Sequence, residues 1–336
     1  MTFRDILGHD RVLERLRRSL AIGRVAHAYL FVGPEGVGKA TVARAFAAAL
    51  TCPEEPGEGC GGCPSCRRLK AATHPDAHVV EPDGQEVKIE QVRGLQKALA
   101  YRPSMARCAV AILPQAERLT LQAANALLKT LEEPPGETVL VLVAPTASLL
   151  PPTVVSRCEL VSFTPLPQEE LASFLASRRG LTPEAAELTA ALAAGRVGLA
   201  LDSEVGDLKA LRERAWQYLT SAAEGPGSVL AWSKHGLEEM RRGRSSLKAA
   251  GLELNTALLS LARDVVVTAA GQPDRLIHVD LAEQYASLPA GGQPAAAQAV
   301  FEAVQAGRAQ LDRNLNTQLV YETMGLAIAE ANRGRT

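Results

Sequence analysis

Phe31-Val32-Gly33-Pro34-Glu35-Gly36-Val37-Gly38-Lys39-Ala40-Thr41 is the stretch on which the fold turns. An apolar run, Ala28 to Val32, leads into it and reads as a buried strand. An alanine-rich run from Ala40 to about Leu50 follows and reads as a helix. Between them lies the pattern Gly-x-x-x-x-Gly-Lys-[Ser/Thr], complete except at its last place. Gly33, Gly36 and Gly38 let the backbone curl so that N–H groups face an anion. The helix N-terminus adds its dipole and free N–H groups, and Lys39 reaches the outer phosphates. The hydroxyl that would bind Mg²⁺ is missing, because Ala40 has none. Thr41 comes one residue late, about 100° further round a helix of roughly 3.6 residues per turn.

The rest of the chain sets bounds on this nucleus. With 336 residues, two or three domains are expected. A hydrophobic content of 47% supports real cores, and 4% aromatics with abundant alanine and leucine favours helix. The net charge of -1 demands neither nucleic acid nor an acidic membrane, although a local basic face is compatible with it. No 18-residue apolar run occurs, and Met1-Thr2-Phe3-Arg4-Asp5 does not read as a signal peptide. A cytoplasmic protein without a membrane partner is expected. In that compartment six cysteines point to metal ligands or buried thiols rather than disulfides.

Residues 5–22 read as an amphipathic helix, with Val12, Leu13, Leu16 and Leu20 inward and Arg11, Arg15 and Arg18 on a solvated face. Cys52, Cys60, Cys63 and Cys66 then fall within fifteen residues, the last three at x₂ spacing. Gly and Pro between them permit the tight turns that bring four sulfurs to one tetrahedral ion, and all-sulfur coordination suits Zn²⁺. A redox pair would not need the fourth cysteine. With no open coordination position the metal is expected to be structural. His74 and His78 are therefore assigned to surface or capping roles.

Ala77–Val80 reads as a short strand and residues 88–100 as a helix. Cys108-Ala109-Val110-Ala111-Ile112-Leu113 is a continuous apolar strand suited to the centre of a parallel sheet. In a P-loop ATPase the end of this strand carries an Asp for Mg²⁺, usually with a Glu that positions water. Here Pro114-Gln115 stand in those places, and Glu117 is two to three residues late. The helix from Gln122 to Glu133 stops at Pro134-Pro135. Val139–Val143 and Glu159–Phe163 complete a set of strands that alternate with helices, the signature of a parallel α/β sheet. Thr164-Pro165-Leu166-Pro167 breaks the pattern. Residues 168–202 hold two or three short helices, too few for an independent core, and are expected to lean on the first domain. From about Gly206 onward every segment reads as helix: 207–222, 227–241, 245–270, 278–287, 294–312 and 315–332. Leu311, Leu315, Leu319 and Leu326 are spaced as one helix face. Arg241-Arg242-Gly243-Arg244 reads as a basic loop between helices.

Taken together these residues resemble the AAA+ subunits of bacterial DNA polymerase III clamp loaders. The resemblance rests on the cysteine module after the loop helix, on Ala123-Ala-Asn-Ala-Leu-Leu-Lys-Thr-Leu-Glu-Glu-Pro-Pro135, and on Ser156-Arg157-Cys158. It covers residues 1–205 by motif and the remainder by architecture. It implies a P-loop AAA+ domain over 1–164 with a zinc module at 52–66, a helical lid over 165–206, and an all-α collar over 207–336 that holds an oligomer together. It also implies that Arg157 reaches the nucleotide of a neighbouring subunit. Ala40, Pro114 and Gln115 depart from the family's ATPases, and Gly198 stands where those place an Arg that senses the γ-phosphate, with Arg196 two residues away. The expectation is a non-hydrolysing subunit in which Gly33, Gly36, Gly38, Lys39 and Thr41 form a degenerate loop and ATP with Mg²⁺ is not bound productively. Its expected partners are the gamma or tau motor subunits and the delta subunit, with the sliding clamp and primed DNA reached through the complex. The alternative is an ATP-hydrolysing motor subunit of the same loader. A zinc-dependent nucleic-acid-binding module from a repair protein explains the cysteines but not Ser156-Arg157-Cys158 or the helical C-terminal region.

Overall fold

The computed structural model describes residues 2–202, 205–241, 246–313 and 315–333. The basic stretch Arg242-Gly243-Arg244 lies outside them. The chain forms two compact units, one of residues 1–174 with 195–199 and one of residues 175–194 with 200–336. The helical segment 165–206 contributes to both.

In the first unit five strands form one sheet: β1 (Ala28–Val32), β2 (Ala77–Val79), β3 (Ala109–Leu113), β4 (Thr138–Ala144) and β5 (Glu159–Ser162). Their order is β2-β3-β4-β1-β5 and every pairing is parallel. The strands are short apolar runs because both faces are covered. Alternation decides which side chain goes where. Tyr29, Phe31, Val110, Ile112, Val141 and Val143 join one core with Leu13 and Leu16 of α1 (Asp10–Ala21) and Val42 and Phe46 of α2 (Lys39–Thr51). After α3 (Pro64–Lys70) in the cysteine module, α4 (Ile89–Leu99) and α5 (Leu121–Glu132) cover the opposite face. There Val92, Leu95, Leu127 and Leu131 pack with Leu30, Ala111, Leu113, Leu140 and Leu142. Thr120 caps α5 by accepting from the Ala123 N–H at 3.2 Å.

The one-turn α6 (Pro152–Val155) precedes β5, and α7 (Gln168–Arg179), α8 (Pro183–Ala193) and α9 (Val197–Asp202) follow it. The second unit continues through α10 (Val205–Glu224), α11 (Pro226–Arg241), α12 (Leu247–Ala269), α13 (Ala282–Ser287), α14 (Pro294–Asp312) and α15 (Thr317–Asn332). Tyr218, Tyr285 and Tyr321 are fully buried in its core. The Tyr218 hydroxyl donates to Tyr321 O at 2.6 Å and the Tyr321 hydroxyl to Gly251 O at 2.7 Å, so two of the three buried phenols are hydrogen-bonded.

Leu311 is buried at the end of α14, whereas Leu315, Leu319 and Leu326 are 45%, 56% and 39% exposed. The expected single face is therefore two. The Asn316 side chain starts a new helix by accepting from Leu319 N, and the break between α14 and α15 ends the periodicity that began at Leu311.

A buried imidazole is expected to make the second unit acid-sensitive. His278 is 1% exposed, its Nε2 lies 3.0 Å from Ser260 Oγ, and its backbone N–H donates to Asp264 at 2.8 Å. Burial pulls its imidazole down to about 4, against the opposing pull of Asp264. The native state thus holds His278 neutral where the unfolded chain binds a proton. That contribution is full above pH about 6.5 and is lost as pH falls towards 4. Thermal melting of the wild type is expected to drop across this window, and His278→Gln to flatten the drop. Identical pH profiles would contradict the assignment.

Candidate functional site

Sheet order places the glycine-rich loop. The connection from β1 runs to one side of it and that from β4 to the other, which leaves a crevice at the carboxyl end of β1. Gly33, Gly36 and Gly38 all have positive φ, at 149°, 76° and 106°. At Gly33 a Cβ would come within 2.4 Å of Phe163 O, so only glycine fits. His9 holds the loop from outside, with Nε2 2.9 Å from Val37 O and its ring edge-on to Phe163.

A cavity of about 330 Å³ opens beside the loop, lined among others by Lys39, Ala40, Thr41, Pro114, Gln115 and Glu117. Ala40, Pro114 and Gln115, the residues that sequence sets against the Mg²⁺ hydroxyl and the two carboxylates, thus line one cavity. Lys39 is 7% exposed and bends back on the loop, donating to Gly33 O at 2.5 Å and Pro34 O at 2.8 Å. Burial lowers its pKa, with Glu35 and Glu117 opposing. Glu117 does enter the cavity despite its late position in sequence. Burial raises its carboxyl pKa, and its Oε2 has no hydrogen-bond partner among the described residues.

Gly198 closes one side. Its N–H donates to Gly36 O at 2.7 Å, and a Cβ there would lie 3.0 Å from the same oxygen. A side chain at this position would press on the loop backbone. No guanidinium can stand at residue 198 without moving the loop.

Arg157 lies at the opposite end of the strands, before the amino end of β5, the neighbour of β1. It precedes β5, whose Glu159 is level with Tyr29, whereas the loop follows Val32. The four residues of β5, Glu159–Ser162, at about 3.3 Å each put roughly 13 Å of strand between Arg157 and the level of its own loop. Arg157 Nη2 pairs with Glu132 Oε1 at 2.5 Å and Nη1 donates to Thr153 O at 2.8 Å. The two side chains of the pair are 36% and 49% exposed, so the pair contributes only about 0–1 kcal/mol.

The cysteines form a second site. All four sulfurs lie within 4.8 Å of one another, with Cys52 and Cys63 at 3.8 Å and Cys60 and Cys66 at 4.0 Å. A tetrahedron with Zn–S of about 2.3 Å has an edge of roughly 3.8 Å, so the donor set fits such an ion. Backbone N–H groups of Glu55 and Cys60 point at Cys52 Sγ, that of Cys63 at Cys60 Sγ, and that of Cys66 at Cys63 Sγ. Burial pushes the Cys52 thiol up, but these N–H groups outweigh it and bring the thiol down to about 7. Cys52 ends α2 and Cys63 begins α3, so the ion would staple two helices. His74 is buried rather than on the surface. Its Nε2 meets Ser65 Oγ at 2.9 Å and its Nδ1 accepts from Asp76 N, which ties the module to β2.

His9 and Glu132 carry no motif and lie 28 and 25 residues from the groups they hold, so nothing local in sequence marks them. Glu117 is marked in sequence as an acid two to three residues late, and it lines the cavity all the same. A single-turn 3₁₀ segment, Ala116–Arg118, swings it back.

A family model described as DNA polymerase III, delta subunit, matches residues 8–167. The DNA polymerase III subunit delta' of Bacillus subtilis is 29% identical over 95% of this chain and 96% of that protein. The subunit delta' of Pseudomonas aeruginosa is 45% identical over 40% of this chain and 42% of that protein. The subunit tau of Escherichia coli is 38% identical over 47% of this chain and 24% of that protein.

Proposed function

Because the chain belongs to the DNA polymerase III delta prime family of clamp-loader subunits, we propose that it is a non-hydrolysing subunit that completes its neighbour's nucleotide site. The observation that carries this reading is the cavity beside the loop, where Ala40, Pro114 and Gln115 stand at the places set by sequence for the Mg²⁺ hydroxyl and the two carboxylates, and the one nearby acid of that strand end, Glu117, comes two to three residues late. Phosphoryl transfer is mostly charge stabilisation by metal and cations, so loss of the metal removes most of the catalysis. In this reading the loop of Gly33, Gly36, Gly38, Lys39 and Thr41 holds phosphate weakly at most. Arg157 exchanges Glu132 for the phosphates of an adjoining gamma or tau subunit. The four cysteines hold one zinc ion that braces the excursion between α2 and α3. The segment 165–206 serves as a lid, and the protein works in the cytoplasm with the delta subunit, the clamp and primed DNA.

The isolated chain is expected to show no ATP turnover above background in a steady-state assay. Metal-dependent hydrolysis that vanishes in Lys39→Ala would overturn the reading and favour a motor subunit. Two observations speak for that alternative: the similarity to tau, and a half-buried carboxylate, Glu117, in the same cavity as Lys39.

Residues 207–336 form the collar in this reading. The exposed leucines of α15, Leu319 and Leu326, supply apolar area for a neighbouring subunit. Leu319→Asp is expected to leave the chain's own helix content unchanged and to weaken assembly at least tenfold in a co-purification titration. Assembly at wild-type strength would remove this face from the interface.

A further inference from the structure

β2 is an outer strand of the sheet, with β3 on one side of it only. Its pairing with β3 fixes which backbone groups face outward. The Val110 N–H donates to Asp76 O at 2.8 Å and the Val80 N–H to Ile112 O at 2.9 Å. In a parallel ladder alternate residues bond to the same side, so Asp76, His78 and Val80 serve β3 while Ala77 and Val79 turn the other way. The Ala77 N–H donates to His74 O at 3.3 Å. The Ala77 carbonyl and both backbone groups of Val79 are left without a hydrogen bond among the described residues.

A cavity of about 620 Å³ opens alongside this edge. Ala77 and Val79 stand level with Val110 and Ile112, so their side chains lie on the sheet face that α2 covers. Val79 is 41% exposed, although a β-branched side chain on a sheet is ordinarily packed against a neighbour. Leu69, Ala72 and Ile112 add apolar lining, and Arg44 and Lys70 bring positive charge. That charge is poorly matched within the chain. Arg44 Nη2 is 3.9 Å from the exposed Glu81 carboxylate, and Lys70 has no ion pair among the described residues. The gap between α3 and β2 is a built one. Buried His74 spans it, with Nε2 2.9 Å from Ser65 Oγ and Nδ1 3.1 Å from the Asp76 N–H nitrogen.

We infer that this edge takes an extended acidic peptide segment of a partner protein. The segment adds a strand beside β2, sets an apolar side chain in the cavity next to Val79, and turns carboxylates on the same face to Arg44 and Lys70. A peptide backbone brings donors and acceptors together, which is what Ala77 and Val79 lack. A phosphodiester backbone offers acceptors alone and leaves both carbonyls without a donor. A second copy docked edge to edge would bring Arg44 and Lys70 against their like.

The test is fluorescence anisotropy of the full chain with a labelled peptide, Thr-Asp-Thr-Leu-Thr-Asp-Thr, acetylated and amidated at its ends. When it is extended, the aspartates and the leucine share one face. The wild type is expected to bind it at 50 mM NaCl. Arg44→Gln with Lys70→Gln is expected to bind at least tenfold more weakly, and Val79→Asp likewise. Arg44→Glu with Lys70→Glu is expected to prefer, by at least tenfold, the peptide with lysines in place of its aspartates. Backbone N-methylation separates strand addition from mere contact. Methylating one alternate set of residues should abolish binding, and methylating the other set should weaken it less than threefold. These peptides probe the unaltered chain, so a misfolded variant cannot imitate the result. No binding at 1 mM peptide, or equal losses from both methylated sets, would overturn the inference. Displacement of the peptide by oligothymidine at matched charge would overturn it in favour of nucleic acid. Self-association of the chain that Val79→Asp removes would overturn it in favour of a second copy.

Discussion

Arg157→Ala is expected to leave the isolated chain folded with its metal in place, and to slow DNA-stimulated ATP turnover and clamp loading sharply in the reconstituted complex. An arginine supplied in trans changes phosphoryl-transfer rates by roughly 10³–10⁵. In the proposed reading the defect falls on the one motor subunit whose site Arg157 would enter, so the total rate should drop by that subunit's share and by whatever coupling the sites have. Arg157→Lys should rescue poorly, because an ammonium lacks the planar fork that grips two phosphate oxygens. The free chain already shows how the residue is kept. Its fork rests on Glu132 and Thr153 O at the exposed end of α6, held by contacts weak enough to be exchanged for a triphosphate. Equal rates in complexes shown to be intact would reduce this chain to a passive scaffold.

Removal of the metal is expected to have the second large effect. One zinc ion per chain should be found, and Cys63→Ser should lose it. Binding to a preorganised four-sulfur site is worth on the order of 10 kcal/mol at neutral pH. The stretch between Cys52 and Lys70 has little apolar content to replace it. Beyond the cysteines it is tied to its surroundings by polar contacts, among them Gly57 N–H to Ala49 O, Arg17 to Glu58, and Ser65 Oγ to Thr51 O and His74. A chelator should therefore abolish hydrogen-exchange protection in this module while the five-stranded sheet, with its own core, stays protected. Zinc-free protein with an unchanged melting temperature, or Cys63→Ser with full metal content, would contradict this.

Much of this was legible in sequence for reasons that can be named. Strands such as Ala109–Leu113 are continuous apolar runs, and a parallel sheet covered on both faces demands such runs. The cysteines were legible because x₂ spacing with glycine and proline between leaves one economical geometry, and the sulfurs do converge. What sequence hides is contact across distance. Gly198 reads as a missing arginine. Only the fold shows its N–H bonded to Gly36 O, which makes the absence a steric requirement of this loop as well as a loss. The withdrawal of Lys39 onto Gly33 O and Pro34 O is invisible for the same reason, as is the pairing of Arg157 with Glu132. The leucine row from Leu311 to Leu326 misled because periodicity was counted through the Asn316 cap, where one helix ends and another begins with its own rotation.

The central claim is that this chain's own nucleotide site is silent while its arginine serves another. One comparison tests it directly: ATP turnover by three reconstituted complexes that differ only in this subunit, as wild type, Lys39→Ala and Arg157→Ala. The account predicts equal turnover for wild type and Lys39→Ala and a large loss for Arg157→Ala. A large loss with Lys39→Ala and none with Arg157→Ala would contradict it.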